Sequence, residues 1–196
     1  MDAMVEQAPE SVRFVRDFIN TVEWQTNEES LATPADLSRW LQDHDVQVAG
    51  AALGTSELEL AKTIREGLRS ALQAHAGHDV DRAAIDALNR ALIHVPVVVG
   101  FTDSADSYLA PARATKNAAA LAPLIAAVNA SQVDGTWERL KVCARDSCRW
   151  AFYDASRNRS GRWCSMAGCG NYVKMRRAYA VRKGRPVPDS PTHDTM

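Results

Sequence analysis

Four cysteines, Cys143, Cys148, Cys164 and Cys169, are the only ones in the chain, and all lie between Leu140 and Lys183. Their spacing is C-x4-C, an interval of fifteen residues, then C-x4-C. Two matched pairs flanking one loop suit a tetrahedral zinc site. Each close pair supplies two thiolates from a tight turn, and the loop lets the second pair fold back on the first. Disulfides and inert buried thiols are the alternatives. Residues 1–20 begin acidic and contain no uninterrupted apolar core of the kind secretion needs, so a reducing cytoplasm is expected and disulfides are not. The nearest histidines, His94 and His193, lie outside the region. The site therefore reads as all-cysteine, closed and structural, with no coordination position left for catalysis.

Charge singles out the same stretch. Residues 139–185 hold thirteen Lys and Arg against Asp146 and Asp154, a net of +11, while residues 1–138 carry ten basic and twenty acidic groups, a net of −10. The overall −1 thus hides two halves of opposite sign. A basic, metal-stapled module attracts phosphates and releases their counterions, the electrostatic pattern of a nucleic-acid binder.

The run from Cys148 to Lys183, CRWAFYDASRNRSGRWCSMAGCGNYVKMRRAYAVRK, resembles the CGNR-type zinc finger of bacterial transcriptional regulators, named for a Cys-Gly-Asn-Arg tetrapeptide at the fourth zinc ligand. Here the tetrapeptide is Cys169-Gly170-Asn171-Tyr172, with Tyr in place of Arg. Arg157, Asn158, Arg159, Arg162, Trp163, Cys164, Ser165 and Met166 keep the flavour of the family's approach to that ligand. Upstream, RFVRDFINTVEW and LATPADLSRWLQDHDV resemble the start of the stress-induced transcription regulator domain that precedes this finger in the same family. The resemblance implies Zn(2+) as cofactor and double-stranded DNA as partner.

The elements that must position these residues follow from periodicity. Length, 46% hydrophobic content and 24% charge allow a buried core, and no apolar stretch is long enough to span a membrane. A first helix capped near Ser11 carries Val15, Phe18, Ile19 and Val22 on one face. Thr33-Pro34 starts a second helix, with Leu37, Trp40 and Leu41 as its buried stripe. A third opens at Ser56 with Glu59 as a capping box and runs toward Gly77, and Asp81 caps a fourth. The β-branched run Val95 to Phe101 and a segment near Tyr108 to Ala110 form a small hairpin. A further helix runs from Asn117 to Val128, with Pro123 inside it, and Asp134-Gly135 marks a domain boundary.

The fold expected is mainly α with a small β-hairpin. A helical N-terminal domain, residues 1–135, precedes a treble-clef or ribbon-like four-cysteine finger, 136–185, that ends in a basic helix, and a polar tail, 186–196, is expected to be disordered. Trp150, Phe152 and Tyr153 read as the finger's miniature core. Asn171 caps a helix to Arg182, with Val173 and Tyr179 facing the finger and Lys174, Arg176, Arg177, Arg182 and Lys183 as its basic surface. Arg157, Asn158, Arg159 and Arg162, in the loop between cysteine pairs, suit phosphate contacts.

The function expected is a cytoplasmic, zinc-dependent, DNA-binding transcriptional regulator whose helical domain senses a small-molecule effector or mediates assembly. One small finger reads few base pairs, which favours a homodimer, although no heptad seam marks an interface. The alternative keeps zinc and drops DNA: a protein-interaction or redox- and zinc-sensing module whose basic face docks on an acidic domain. The aromatics do not separate RNA from DNA. No catalysis is expected, because His44, His75, His78 and His94 are scattered and no nucleophile motif or glycine-rich phosphate loop is present.

Overall fold

The computed structural model describes residues 8–47, 52–112 and 115–184; the tail expected to be disordered lies outside them. Helix α1, Glu10–Ile19, buries Val12, Val15, Phe18 and Ile19 along one stripe. It begins one residue before Ser11, directly after Pro9, and no side chain caps it. Proline at that point removes one of the N–H groups that would otherwise lack a partner and sets a helix-compatible φ of −54°. Val22 leaves the helical face and joins a two-residue hairpin that periodicity does not reveal, β1 (Val22–Glu23) paired with β2 (Glu28–Glu29).

Helix α2, Pro34–Asp43, starts as its sequence dictates. Thr33 Oγ1 accepts from the Asp36 N–H, and Asp36 Oδ2 accepts from the Thr33 N–H, a reciprocal capping box with proline at the first turn. Helix α3, Thr55–His75, is the central element and buries Leu58, Ala61, Ile64, Leu68 and Leu72. Its start corrects the expected Ser56–Glu59 box: Glu57 Oε2 accepts the Gly54 N–H at 2.6 Å instead. Asp81 caps α4, Arg82–Leu92, as expected, accepting from Ala83 and Ala84. Helices α3 and α4 meet closely because Gly67 has no side chain; a Cβ there would lie 2.4 Å from Leu88 Cβ.

Strands β3 (Val97–Phe101) and β4 (Ser107–Pro111) form the expected hairpin, with Val99 opposite Leu109 and Gly100 opposite Tyr108. Helix α5 runs from Lys116 to Val133, longer than expected at both ends, because Thr115 caps it and Pro123 is accommodated within it. A 3-10 turn, Trp137–Arg139, then leads into β5 (Leu140–Val142), which pairs antiparallel with β6 (Ala151–Tyr153).

This last hairpin belongs to the helical core. Leu140, Val142 and Ala151 are buried in the same cluster as Phe18, Ile64 and Leu72. Asn20 acts as an extra strand residue: its Nδ2 donates to Ala151 O and its Oδ1 accepts from Ala151 N, both at 2.8 Å. His75 Nδ1 lies 2.7 Å from Leu140 O, and Trp137 packs edge-on against the His75 ring. Arg69, buried on α3, donates to the carbonyls of Ile19 and Arg149.

Candidate metal centre and nucleic-acid interface

Strand β5 delivers Cys143 and the following turn delivers Cys148, whose N–H donates to Arg145 O at 2.9 Å. Arg149, with φ 51°, reverses the chain so that the Cys143 N–H reaches Trp150 O at 2.8 Å. Of the second pair, Cys164 precedes and Cys169 lies within a π-turn, Met166–Gly170, that Ser165 caps by accepting the Gly168 N–H. The four Sγ atoms lie within 4.8 Å of one another, and Cys143, Cys148 and Cys169 are buried.

Those separations discriminate between the chemistries left open by spacing. Sγ of Cys148 and Cys164 are 3.7 Å apart and those of Cys164 and Cys169 3.8 Å, far beyond a disulfide bond, and all four thiols are free. A regular tetrahedron around zinc with Zn–S of about 2.3 Å has S–S edges of about 3.8 Å. The donor set therefore fits Zn(2+) in charge preference and size. Within the cluster, ionisation of one thiol opposes ionisation of its neighbours. Hydrogen bonds from Cys148 and then Cys164 hold the Cys143 thiol far below its ordinary value, with backbone N–H groups of Cys164 and Arg145 adding to the effect. The bond to Cys143 in turn pushes Cys148 up to about 12, and Cys164 is pushed up by the same neighbour. A divalent ion at the centre lets all four exist as thiolates.

Around this centre the expected miniature core is only partly realised. Trp150 and Trp163 pack against the cysteines, whereas Tyr153 packs on the helical core. Met166 and Trp163 close over Gly170: a Cβ there would sit 2.9 Å from Met166 Sδ and 3.2 Å from Trp163 Cδ1.

The arginine-rich loop is held from beneath by a buried ion pair. Lys141 Nζ donates to Asp154 Oδ2 at 2.8 Å and also to the carbonyls of Arg159 and Gly161. Asp154 accepts from the Ser156 N–H at 3.1 Å and the Gly161 N–H at 2.8 Å, while Arg139 donates to the carbonyls of Asp154 and Ser156. Burial pushes the Asp154 carboxyl up, but the Lys141 ammonium and the Ser156 and Gly161 donors outweigh it and hold the group below the usual carboxylate range. Arg157, Asn158, Arg159 and Arg162 are all exposed on this framed loop. Arg159 is engaged with Glu138 at 2.6 Å, and Arg162 lies 5.5 Å from the Trp163 ring centre.

Helix α6, Asn171–Arg182, follows the π-turn without a break. Two expectations are corrected there. Asn171 is already helical and Ser165 caps the combined turn, so Asn171 Nδ2 donates to Ala167 O instead. Tyr179 is exposed, and Ala180, with the half-buried Val173 and Arg176, forms the inward side. Lys174, Arg177, Arg182 and Lys183 are exposed, and no acid stands between Asn171 and Gly184. Tyr172, at the family's arginine position, carries the Arg145 guanidinium 3.7 Å from its ring centre, with Arg176 at 5.8 Å.

Residues 13–135 match the ABATE family, described as a putative stress-induced transcription regulator, and residues 139–182 match the CGNR zinc finger. The chain belongs to the ABATE family and carries a CGNR zinc finger. A search of curated proteins finds no match to it. Together with the cysteine geometry, the CGNR match makes this a zinc-binding protein. Neither family is an enzyme family. No described helix is long and apolar enough to cross a membrane.

Residues of this ABATE–CGNR chain that sequence reasoning did not assign sit where its two parts meet. Gln25 Nε2 donates to Cys148 Sγ at 3.6 Å and its Oε1 accepts from Arg145 Nη1 at 3.0 Å. Trp24 lies beneath Arg149, 4.7 Å from ring centre to guanidinium. The charge count includes Arg145 and Arg149, but only tertiary contact distinguishes them from other surface arginines.

Proposed function

We propose that this protein is a zinc-dependent, DNA-binding transcriptional regulator acting in the cytoplasm. The observation that carries the reading is α6: an acid-free helix bearing exposed Lys174, Arg177, Arg182 and Lys183, set on a zinc-binding turn. A helix on such a scaffold has the dimensions to enter a major groove, where Arg meets phosphates and guanine edges. In this reading the four cysteines ligate the zinc, and Asn171 and Arg176 join the helix's DNA-facing set. Arg157, Asn158 and Arg162 contact phosphate from the framed loop, and Arg159 joins them when it leaves Glu138. Residues 136–185 then form the DNA-binding unit and 1–135 the sensing or assembly unit, with a homodimer supplying the second half-site.

Sensing has a candidate location. A groove of about 750 Å³ lies between α1, the end of α2 and α5, lined among others by Phe14, Asp17, His44, Val46 and Pro123. That volume suits a small-molecule effector.

Fluorescence anisotropy of the zinc-loaded protein on random duplex and on its own promoter, at two salt concentrations, tests the reading. Salt-sensitive binding that prefers the promoter is expected, with the salt slope falling by about 0.9 for each phosphate interaction that Arg176→Ala or Arg177→Ala removes. Absence of binding at low salt refutes it. The second reading, a zinc-stabilised protein-interaction module, is favoured by Met166, Met175 and Val181, which are 68%, 72% and 67% exposed around the same helix. Under that reading neither salt-dependent DNA affinity nor an effect of the arginine substitutions on it is expected.

A further inference from the structure

Among the described residues, α6 packs chiefly on the π-turn that precedes it. Its direction relative to the rest of the molecule is therefore set by the cysteine cluster and by whatever grips its first turn. The grip on the first turn is Arg145, stacked 3.7 Å from the centre of the Tyr172 ring. Arg145 is itself held from outside the finger, by Gln25.

Gln25 stands on the four-residue turn between β1 and β2, and the base of that turn is anchored deep in the helical half. Arg65, on α3 and buried, donates to both carboxylate oxygens of Glu29 at 2.8 Å and to Thr21 Oγ1 at 3.0 Å. The Ser30 N–H closes the base onto Thr21 O at 2.8 Å. At the tip, Trp24 lies under Arg149 and 6.0 Å from Arg69, so α3 reaches the turn from both ends. The orientation of the Gln25 amide follows from its partners. A guanidinium only donates, so the amide oxygen faces Arg145, and the amide nitrogen donates to the Cys148 sulfur and to Glu23 Oε1 at 3.4 Å.

We infer that Gln25 is a positioning residue for the basic helix: it fixes Arg145 on Tyr172 and so makes the β1–β2 turn the route by which the helical half biases α6. The tyrosine at the CGNR arginine position then has a role of its own as the shelf for Arg145. The consequence for nucleic-acid affinity rests on the DNA-binding reading. The coupling itself does not.

Gln25→Ala, Tyr172→Ala, Tyr172→Phe and the Gln25→Ala/Tyr172→Ala double variant test this in the full-length zinc-loaded protein. Hydrogen–deuterium exchange over residues 166–182 is read beside zinc stoichiometry and affinity for random duplex DNA. Gln25→Ala is expected to keep one zinc per chain while α6 exchanges about threefold to tenfold faster and DNA affinity falls by a similar factor. Tyr172→Phe keeps the stack and should match wild type; Tyr172→Ala should match Gln25→Ala, and the double variant should be no worse than either. Unchanged exchange in Gln25→Ala, or additive effects in the double variant, overturns the coupling. Loss of zinc from Gln25→Ala also overturns it, because the contact then serves the metal and not the helix. If wild type binds no DNA, the DNA reading fails while the exchange data still decide the inference.

Discussion

Replacing Asp154 by Asn should destabilise the whole protein far more than a surface substitution, although the two side chains have the same shape. Asp154 is 2% exposed, and its two oxygens satisfy the Lys141 ammonium and two backbone N–H groups. An Asn offers one oxygen and turns an NH2 toward donors, leaving the buried Lys141 charge without its counter-ion. Removing one partner of a buried ion pair costs about 3–5 kcal/mol. We take the lower end, about 3 kcal/mol, because Lys141 keeps the carbonyls of Arg159 and Gly161. For a chain of this size that lowers Tm by about 6–12 °C. Because β5 is part of the helical core, circular dichroism should show a single transition moving as a unit. The pH dependence has a defined sign. The folded pKa of Asp154 is depressed, so its contribution is present above the unfolded value of about 4 and is lost as pH falls through the folded one. The gap between wild type and Asp154→Asn should therefore narrow as the pH is taken below about 4. Lys141→Met with Asp154→Leu, which removes both charges, should melt closer to wild type than Asp154→Asn does. A single variant melting within about 2 °C of wild type at neutral pH would refute the reasoning, since that corresponds to less than about 1 kcal/mol.

Zinc analysis should return one metal per chain, and Ser at Cys143, Cys148, Cys164 or Cys169 should abolish stoichiometric binding; a strong chelator should lower Tm and increase proteolysis across residues 140–182. Gly67→Ala should lower stability by about 1–3 kcal/mol in urea unfolding because α4 must move from Leu88 Cβ; a rise in stability would mean the helices are not in contact there. Asn20→Ala should cost about 2 kcal/mol by orphaning the Ala151 N–H and carbonyl, with faster hydrogen exchange concentrated in β5 and β6 as the signature.

Local chemistry made part of this protein legible before folding was considered. The C-x4-C pairs announce a metal site because ligand number and turn geometry are properties of short segments, and the four sulfurs do converge. The Thr33-Pro34-Asp36 cap and the Asp81 cap are likewise settled within a few residues. Charge segregation into −10 and +11 is arithmetic on the sequence alone. Two signals compete at the start of α3: Ser56 and Gly54 both suit a helix start, and Glu57 decides between them by reaching the Gly54 N–H.

Tertiary structure decided how the two charged parts are joined. Nothing in the order of residues shows that Asn20 completes β6, that Arg69 and His75 grip the carbonyls of the finger's first hairpin, or that Gln25 reaches Cys148. These contacts link positions more than sixty residues apart, and each uses an ordinary polar side chain whose partner is backbone or a shared sulfur. Such a partner leaves no mark of residue type on the sequence. Spacing can specify a site built from one segment, but a site's attachment to the rest of the fold depends on which surfaces the buried core brings together.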